Sequence, residues 1–268
     1  MRIHYLAAAL SVVTSLALLS SCGDSSSDST GAGGSGGLGN GTGVGGSTAR
    51  MTIAGDYLYA LAESDLQLFD ITTPFAPNPW SRVNIARDVE TIFPYEDYLL
   101  MGASSGMYIY DNTDKANPRE LGSLLHAVAE DPVVASRNHA YVTLRSDSGG
   151  ANQLDVIDIS DPTNPTLVKS LGMQYPRGLS ASSDGDSLYV CDDVAGLKTF
   201  DISDPTNPAP RDTLDVNCRD VIAHEQKLYA ITGTELVQYD LTTSPPRHLS
   251  TMRPTRGQVQ PVVVVLDE

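Results

Sequence analysis

The chain has 268 residues, 19% of them charged, and a formal net charge of −16. That balance excludes nucleic acid and anionic membrane surfaces as electrostatic partners, since both repel a polyanion. Three cysteines are too few for a disulfide-built scaffold, and the length suits one large domain or an array of repeats.

The chain opens with an export signal. Arg2 supplies a positive start, and residues 6–19 form an apolar run of 14 residues relieved only by Ser and Thr. A run of this length fits a cleavable signal better than a membrane span. It closes on Leu19-Ser20-Ser21-Cys22, which resembles the bacterial lipobox. The resemblance implies that residues 1–21 are removed and that Cys22 is acylated as the new N-terminus. Acyl chains would then hold the protein on a membrane. The alternative is an ordinary secretory signal with Cys22 incidental. Gly23 follows the cysteine where an inner-membrane protein of this type carries Asp, which points to the outer membrane, on its periplasmic or its surface face.

After Cys22 and up to residue 48 the sequence is Gly, Ser, Thr, Asp and Asn but for Ala32, Leu38 and Val44; 11 of residues 23–48 are Gly. Such a segment has too little apolar surface to offset its ordering entropy and reads as a flexible tether of about 28 Å r.m.s. span.

Residues 49–268 repeat themselves. Five segments share a Tyr/Leu-rich strand, a short turn, a strand ending in an aromatic residue or Ile and then Asp, and a Pro-rich turn. The marker aspartates Asp70, Asp111, Asp158, Asp201 and Asp240 are spaced by 41, 47, 43 and 39 residues. The octapeptide Asp-Ile-Ser-Asp-Pro-Thr-Asn-Pro occurs at 158–165 and again at 201–208. The repeats span about 49–85, 86–125, 126–175, 176–217 and 218–255, each readable as four strands, with 256–268 as a closing segment. The runs Leu66-Gln67-Leu68-Phe69 and Met107-Tyr108-Ile109-Tyr110 carry bulky residues on both faces, as in a sheet covered on both sides. A period near 40–45 with four strands per unit predicts an all-β fold, a β-propeller of about five blades. Six is the alternative, if Arg256 and the apolar residues 262–266 open a truncated blade rather than add one closing strand.

The runs at 154–162 and 196–205 resemble the LVIVD repeat of bacterial and archaeal envelope proteins. The resemblance covers about residues 49–253 and weakens in repeats one, two and five. There Asn112 stands for an apolar residue, and Thr73-Pro74 and Thr243-Ser244-Pro245 stand for Asp-Pro. It implies a propeller in the cell envelope. It implies no activity and no catalytic residues.

Several groups could carry chemistry. The Asp-Ile-Ser-Asp-Pro-Thr-Asn-Pro segments could hold Ca²⁺ through carboxylate and amide oxygens. Turn capping accounts for the same residues more simply, because Asp, Ser and Asn side chains bond nearby backbone N–H groups. An arginine opens most first strands: Arg50, Arg87, Arg177 and Arg219, and by analogy Arg256, with Asp131 at that place in the third repeat. First strands are innermost in a propeller, so these guanidiniums can meet at a channel mouth and bind a carboxylate or phosphate. The structural alternative pairs each with an adjacent carboxylate such as Asp88, Asp131 or Asp220. Asp192-Asp193, Asp184 and Asp186 read as turn residues. The five histidines show no metal-ligand spacing, and no nucleophile motif is present. No metal, cofactor or enzymatic activity is expected. Cys191 ends a second strand and Cys218 precedes the next first strand, so the two should face each other across neighbouring blades as a disulfide in an oxidising compartment.

The expected function is a monomeric, membrane-anchored interaction or scaffold module of the envelope that binds a protein, peptide or glycan and no nucleic acid. A propeller hydrolase or lyase acting on an envelope polymer, and a purely structural component, are the alternatives.

Overall fold

The computed structural model describes residues 46–253 other than 74, 87, 127–131 and 148. The expected signal, Cys22 and the expected tether up to residue 45 lie outside the described residues, as do Arg87, Asp131 and residues 254–268, which include the expected closing segment 256–268 with Arg256. Among the described residues there is no helix long and apolar enough to cross a membrane. Among the described residues twenty strands form five four-stranded antiparallel sheets, each a meander of consecutive strands.

Blade 1 is β1 (Met51–Ala54), β2 (Tyr57–Ala62), β3 (Asp65–Asp70) and β4 (Asn78–Asn84). Blade 2 is β5 (Val89–Tyr95), β6 (Tyr98–Ala103), β7 (Gly106–Asp111) and β8 (Arg119–Leu125). Blade 3 is β9 (Val133–Ser136), β10 (His139–Leu144), β11 (Gln153–Asp158) and β12 (Thr166–Gly172). Blade 4 is β13 (Pro176–Ala181), β14 (Ser187–Asp192), β15 (Gly196–Asp201) and β16 (Ala209–Leu214). Blade 5 is β17 (Asp220–His224), β18 (Lys227–Ile231), β19 (Leu236–Asp240) and β20 (Arg247–Met252). First strands of successive blades pack against one another, so they line the centre of the propeller, and the fourth strands form its rim.

The sequence repeat is a repeat of backbone chemistry. Every marker aspartate ends its third strand and accepts the backbone N–H of the residue two places on: Thr72, Thr113, Ser160, Ser203 and Thr242, at 2.8–2.9 Å. The second acid of the motif does the same one turn later, Asp161 for Thr163 N and Asp204 for Thr206 N. These are turn caps, each made through the Oδ1 of its aspartate. The third-to-fourth strand pairing slips at one place in all five blades, between Leu68 and Phe69, Ile109 and Tyr110, Val156 and Ile157, Thr199 and Phe200, and Gln238 and Tyr239. A bulge there adds local twist to each rim strand.

Tyrosines tie blade to blade. The Tyr59 hydroxyl donates to the carbonyl of Lys115 at 2.7 Å, and the Tyr141 hydroxyl donates to the carbonyl of Pro205, the same repeat position, at 3.1 Å. Asn112 breaks the apolar pattern for a reason: buried at 1% exposure, its Oδ1 lies 3.1 Å from the Tyr59 hydroxyl and shares that hydroxyl's one proton with the Lys115 carbonyl. Burial pushes the Tyr59 hydroxyl up to about 12.

Four buried clusters join blade 1 to 2, 2 to 3, 3 to 4 and 4 to 5. The second strands β6, β10 and β14 are accordingly buried on both faces over five of their six residues. Blade 1 departs from the expectation that its third strand is covered on both sides. In β3, Leu66 and Leu68 are buried against blade 2, whereas Gln67 and Phe69 on the other face are half-buried. Blade 5 alternates likewise, with Leu228 and Ala230 buried and Tyr229 and Ile231 not.

The composition of residues 46–48 suggested tether, but these residues are packed. Gly46 and Ser47 are buried; Ser47 Oγ accepts Leu179 N of blade 4 at 2.7 Å, and Thr48 Oγ1 donates to Asp220 of blade 5 at 2.5 Å. Small size admits them: a Cβ on Gly46 would stand 2.5 Å from an Asp220 oxygen.

Candidate functional site

A cavity of about 240 Å³ opens where the first strands of blades 3, 4 and 5 begin, and Arg145, Arg177, Arg219 and Asp220 supply its charged walls. Thr48 of the N-terminal segment also lines it. Its construction follows from one repeat position facing another. Residues at the start of a first strand face the turn that follows the second strand of the same blade. In blade 4, Arg177 donates to Asp193 at 2.8–2.9 Å through two nitrogens. In blade 2, Ser104 donates to Asp88 at 3.0 Å. In blade 5 the place of Asp193 is taken by Gly233, where a Cβ would lie 3.9 Å from the Arg219 guanidinium. Arg219 is therefore exposed and makes no ion pair among the described residues.

In blade 3 the residue after the second strand is Arg145. The rings of charge meet over Tyr175: the Arg145 and Arg177 guanidiniums lie 5.2 and 5.0 Å from its ring centroid. Cation–π attraction to one ring holds both positive groups beside the same side chain. The Tyr175 hydroxyl donates to the Asp147 carboxylate, which raises the hydroxyl pKa.

Asp220 forms the floor. Burial pushes its carboxyl above the usual range, against the opposing effect of hydrogen bonds from Thr48, from its own blade's Val221 N and from Ser47. It is wedged between glycines, and a Cβ on Gly178 would stand 2.0 Å from Asp220 Oδ1. Only a residue without Cβ permits that approach.

The structure thus brings Arg177 and Arg219 together and does not bring Arg50. Arg50 is exposed and lines no part of the cavity, because the cavity draws on blades 3 to 5 while Arg50 opens blade 1. Arg219 does not pair with its neighbour Asp220, and Arg177 takes Asp193 rather than an adjacent acid. Of the pair Asp192-Asp193, Asp193 lies in the turn after β14 as expected, whereas Asp192 does not. Asp192 ends β14 fully buried and accepts Gln174 N, Tyr175 N and Lys198 Nζ at 3.0, 2.5 and 2.7 Å. Arg145 was missed, although it follows the second strand at the repeat place of Asp193; aligning the repeats on that strand would have found it.

Cys191 and Cys218 are joined by a disulfide with a Cα–Cα distance of 5.3 Å. Both are buried in the core between blades 4 and 5, just below the cavity's blade-5 wall. Among the described residues no cluster of His, Cys, Asp and Glu could hold a metal ion.

The fold and this axial cavity define a five-bladed β-propeller. Residues 131–172 and 180–214, which make up blade 3 and most of blade 4, match the LVIVD repeat. No curated protein matches the sequence. Solved structures are similar in fold. A functionally unknown protein from Desulfotomaculum acetoxidans is 14% identical with a TM-score of 0.60, over 75% of this chain and 70% of its own. A Bacteroides uniformis protein, provisionally named a 6-phosphogluconolactonase, is 15% identical with a TM-score of 0.60, over 75% and 69%. A chain of a mitotic checkpoint complex is 12% identical with a TM-score of 0.59, over 89% and 75%.

Proposed function

We propose that this protein is a lipid-anchored interaction module of the bacterial envelope whose axial cavity receives a carboxylate or phosphate group of its partner. The observation that carries this reading is Arg219, exposed at the cavity beside Arg145 and Arg177, with Gly233 where blade 4 has the neutralising Asp193. A planar guanidinium with free donors binds such oxyanions bidentately. The cavity is smaller than the roughly 300–1,000 Å³ of drug-sized sites, so it suits one charged group of a larger partner. The propeller and its LVIVD repeats support a scaffold role. The Cys22 context supports acylation, and the acidic chain favours solvated life outside the cytoplasm.

The test uses citrate and pyrophosphate as probes on the mature chain. Gly233→Asp, which copies blade 4 in blade 5, and Arg219→Gln should each weaken binding at least about tenfold, the loss of one charge-assisted contact. Equal binding by all three proteins would refute the site. Cys22→Ala should abolish acyl labelling and membrane fractionation; unchanged fractionation refutes the anchor.

A hydrolase or lyase would need a carboxyl at this cavity free to move a proton. Asp220 is the group in question, but its oxygens are engaged by Thr48 and Val221 N. This favours the binding reading.

A further inference from the structure

We propose that residues 46–48 are a positioning part of the oxyanion site: docked, they hold the Asp220 carboxyl away from the arginines, and undocked they release it to fill the site. This rests on the oxyanion reading of the cavity.

An anion site with a carboxyl in its floor carries its own competitor. Asp220 lines the same cavity as Arg145, Arg177 and Arg219, and a carboxylate is a natural partner of a guanidinium fork. Neither Arg177 nor Arg219 takes it, close as they are. Arg219 is its chain neighbour, and the Arg219 carbonyl accepts Gly178 N at 3.0 Å, which joins the starts of the two first strands. Arg177 pairs with Asp193 instead, and Arg219 makes no ion pair among the described residues.

The N-terminal segment is what occupies Asp220. Thr48 Oγ1 donates to its Oδ2 at 2.5 Å, Val221 N donates to its Oδ1 at 2.9 Å, and the Ser47 hydroxyl adds a further hydrogen bond. Two of these three donors belong to the segment. Gly46 closes over the same oxygen, for a Cβ there would stand 2.5 Å from Oδ2. The segment is placed by contacts that do not involve Asp220. Ser47 Oγ accepts Leu179 N at 2.7 Å, Ala49 N donates to the Gly46 carbonyl at 3.0 Å, and the Ala49 carbonyl accepts Ile92 N at 2.9 Å.

Residues 46–49 lie outside any strand, and single hydrogen bonds of this kind open locally without global unfolding. Opening would take two donors from a carboxyl that burial has stripped of water. The carboxyl then gains most by turning to the guanidiniums beside it. Thr48 is itself a wall of the cavity, so the same opening also removes part of the site. Docking and anion binding are therefore linked, and by reciprocity each strengthens the other by the same factor.

The test measures the affinity of the mature chain for pyrophosphate by calorimetry. Thr48→Val keeps the shape of the wall and removes one hydroxyl; it should weaken binding at least about tenfold, the size of one lost hydrogen bond to a charged group. Thr48→Ser, which restores the hydroxyl, should recover most of that loss. Thr48→Val combined with Asp220→Asn should recover most of it too, because an amide does not neutralise a guanidinium. In the unmodified protein, pyrophosphate at 100 times its Kd should slow exchange of the Leu179 N–H by about a hundredfold, since its acceptor is Ser47 Oγ. The Thr113 N–H, capped by Asp111 in a distant turn, serves as the control that should not respond. Absence of binding by the unmodified protein refutes the oxyanion site itself. Binding that Thr48→Val leaves intact refutes only the role of the segment. Failure of Asp220→Asn to recover affinity, or Leu179 exchange that ignores the ligand, overturns the proposal as well.

Discussion

Among the described residues blade 5 shares a buried apolar cluster with blade 4, and Cys191–Cys218 staples it there; replacing both cysteines with alanine therefore removes a specific amount of stability. The bridge closes a loop of 27 residues. In the chain-entropy account, cross-linking a loop of that size stabilises by about 3.5 kcal/mol at 25 °C. For a domain of about 200 residues this corresponds to a fall in Tm of roughly 7–14 °C. Alanine is the right replacement, because both cysteines are fully buried among Leu197, Val221 and Leu228, where serine would leave a hydroxyl without a partner. The comparison is best made by urea unfolding of the oxidised protein, the reduced protein and the double variant, followed by circular dichroism. Trp80, the single tryptophan, lies exposed in blade 1 and would report on the wrong end. Hydrogen exchange should place the loss in β17 and β18 before β1 and β2, since stability in stacked repeats is largely nearest-neighbour. Oxidised and reduced proteins with unfolding free energies within about 1 kcal/mol of each other would refute the reasoning.

Three further outcomes follow from the geometry. Gly178→Ala drives a methyl to 2.0 Å from Asp220 Oδ1 and should cost about 1–3 kcal/mol, read by thermal unfolding, with Asp220→Ala recovering part of it in a double-mutant cycle. Tyr59→Phe removes the hydroxyl that serves both buried Asn112 and the Lys115 carbonyl and should cost about 1–3 kcal/mol, while adding Asn112→Ile, the blade-4 residue, should restore only the Asn112 share, read by thermal unfolding. Hydrogen bonds from Ser203 and Thr242, with Arg211 and Arg247 behind them, lower Asp201 and Asp240 to about 2. Their folded values lie below the unfolded one near 3.9, so their contribution is present above that pH and is lost as pH falls toward 2. Asp201→Asn with Asp240→Asn should flatten the acid limb of a stability–pH curve; an unchanged slope between pH 4 and 2 counts against the capping role.

Much of the architecture was legible because local chemistry recurs. An aspartate that caps the turn after each third strand must sit at one place per blade, so it marks the period directly. The arginines were legible as first-strand openers, but which of them meet was not. Meeting depends on the residue across the blade, and Gly233, Asp193 and Arg145 occupy that position with no common character. Asp192-Asp193 looks like a turn because paired acids commonly do. Here Lys198 and two backbone N–H groups hold Asp192 inside the blade. The half-open character of blades 1 and 5 was invisible for a different reason. Leu66-Gln67-Leu68-Phe69 has the same apolar content whether or not a neighbour covers Phe69, since covering is a property of the assembled array. Residues 46–48 were misread because glycine and serine serve a flexible linker and a tight passage equally well.

That passage has a mechanical consequence. A pull on the N-terminal chain does not reach β1 first. It meets the Ser47 contact to Leu179 and the Thr48 contact to Asp220, and then the hydrogen bond from Ile92 N to the carbonyl of Ala49 at 2.9 Å. These lie in blades 4, 5 and 2, so tension is shared among three sheets before any strand is loaded from its end. A strand peeled from its end fails one bond at a time, whereas contacts loaded side by side must yield together. The entry point of the chain is in this sense a mooring, and drag on a tethered propeller would be borne by its centre.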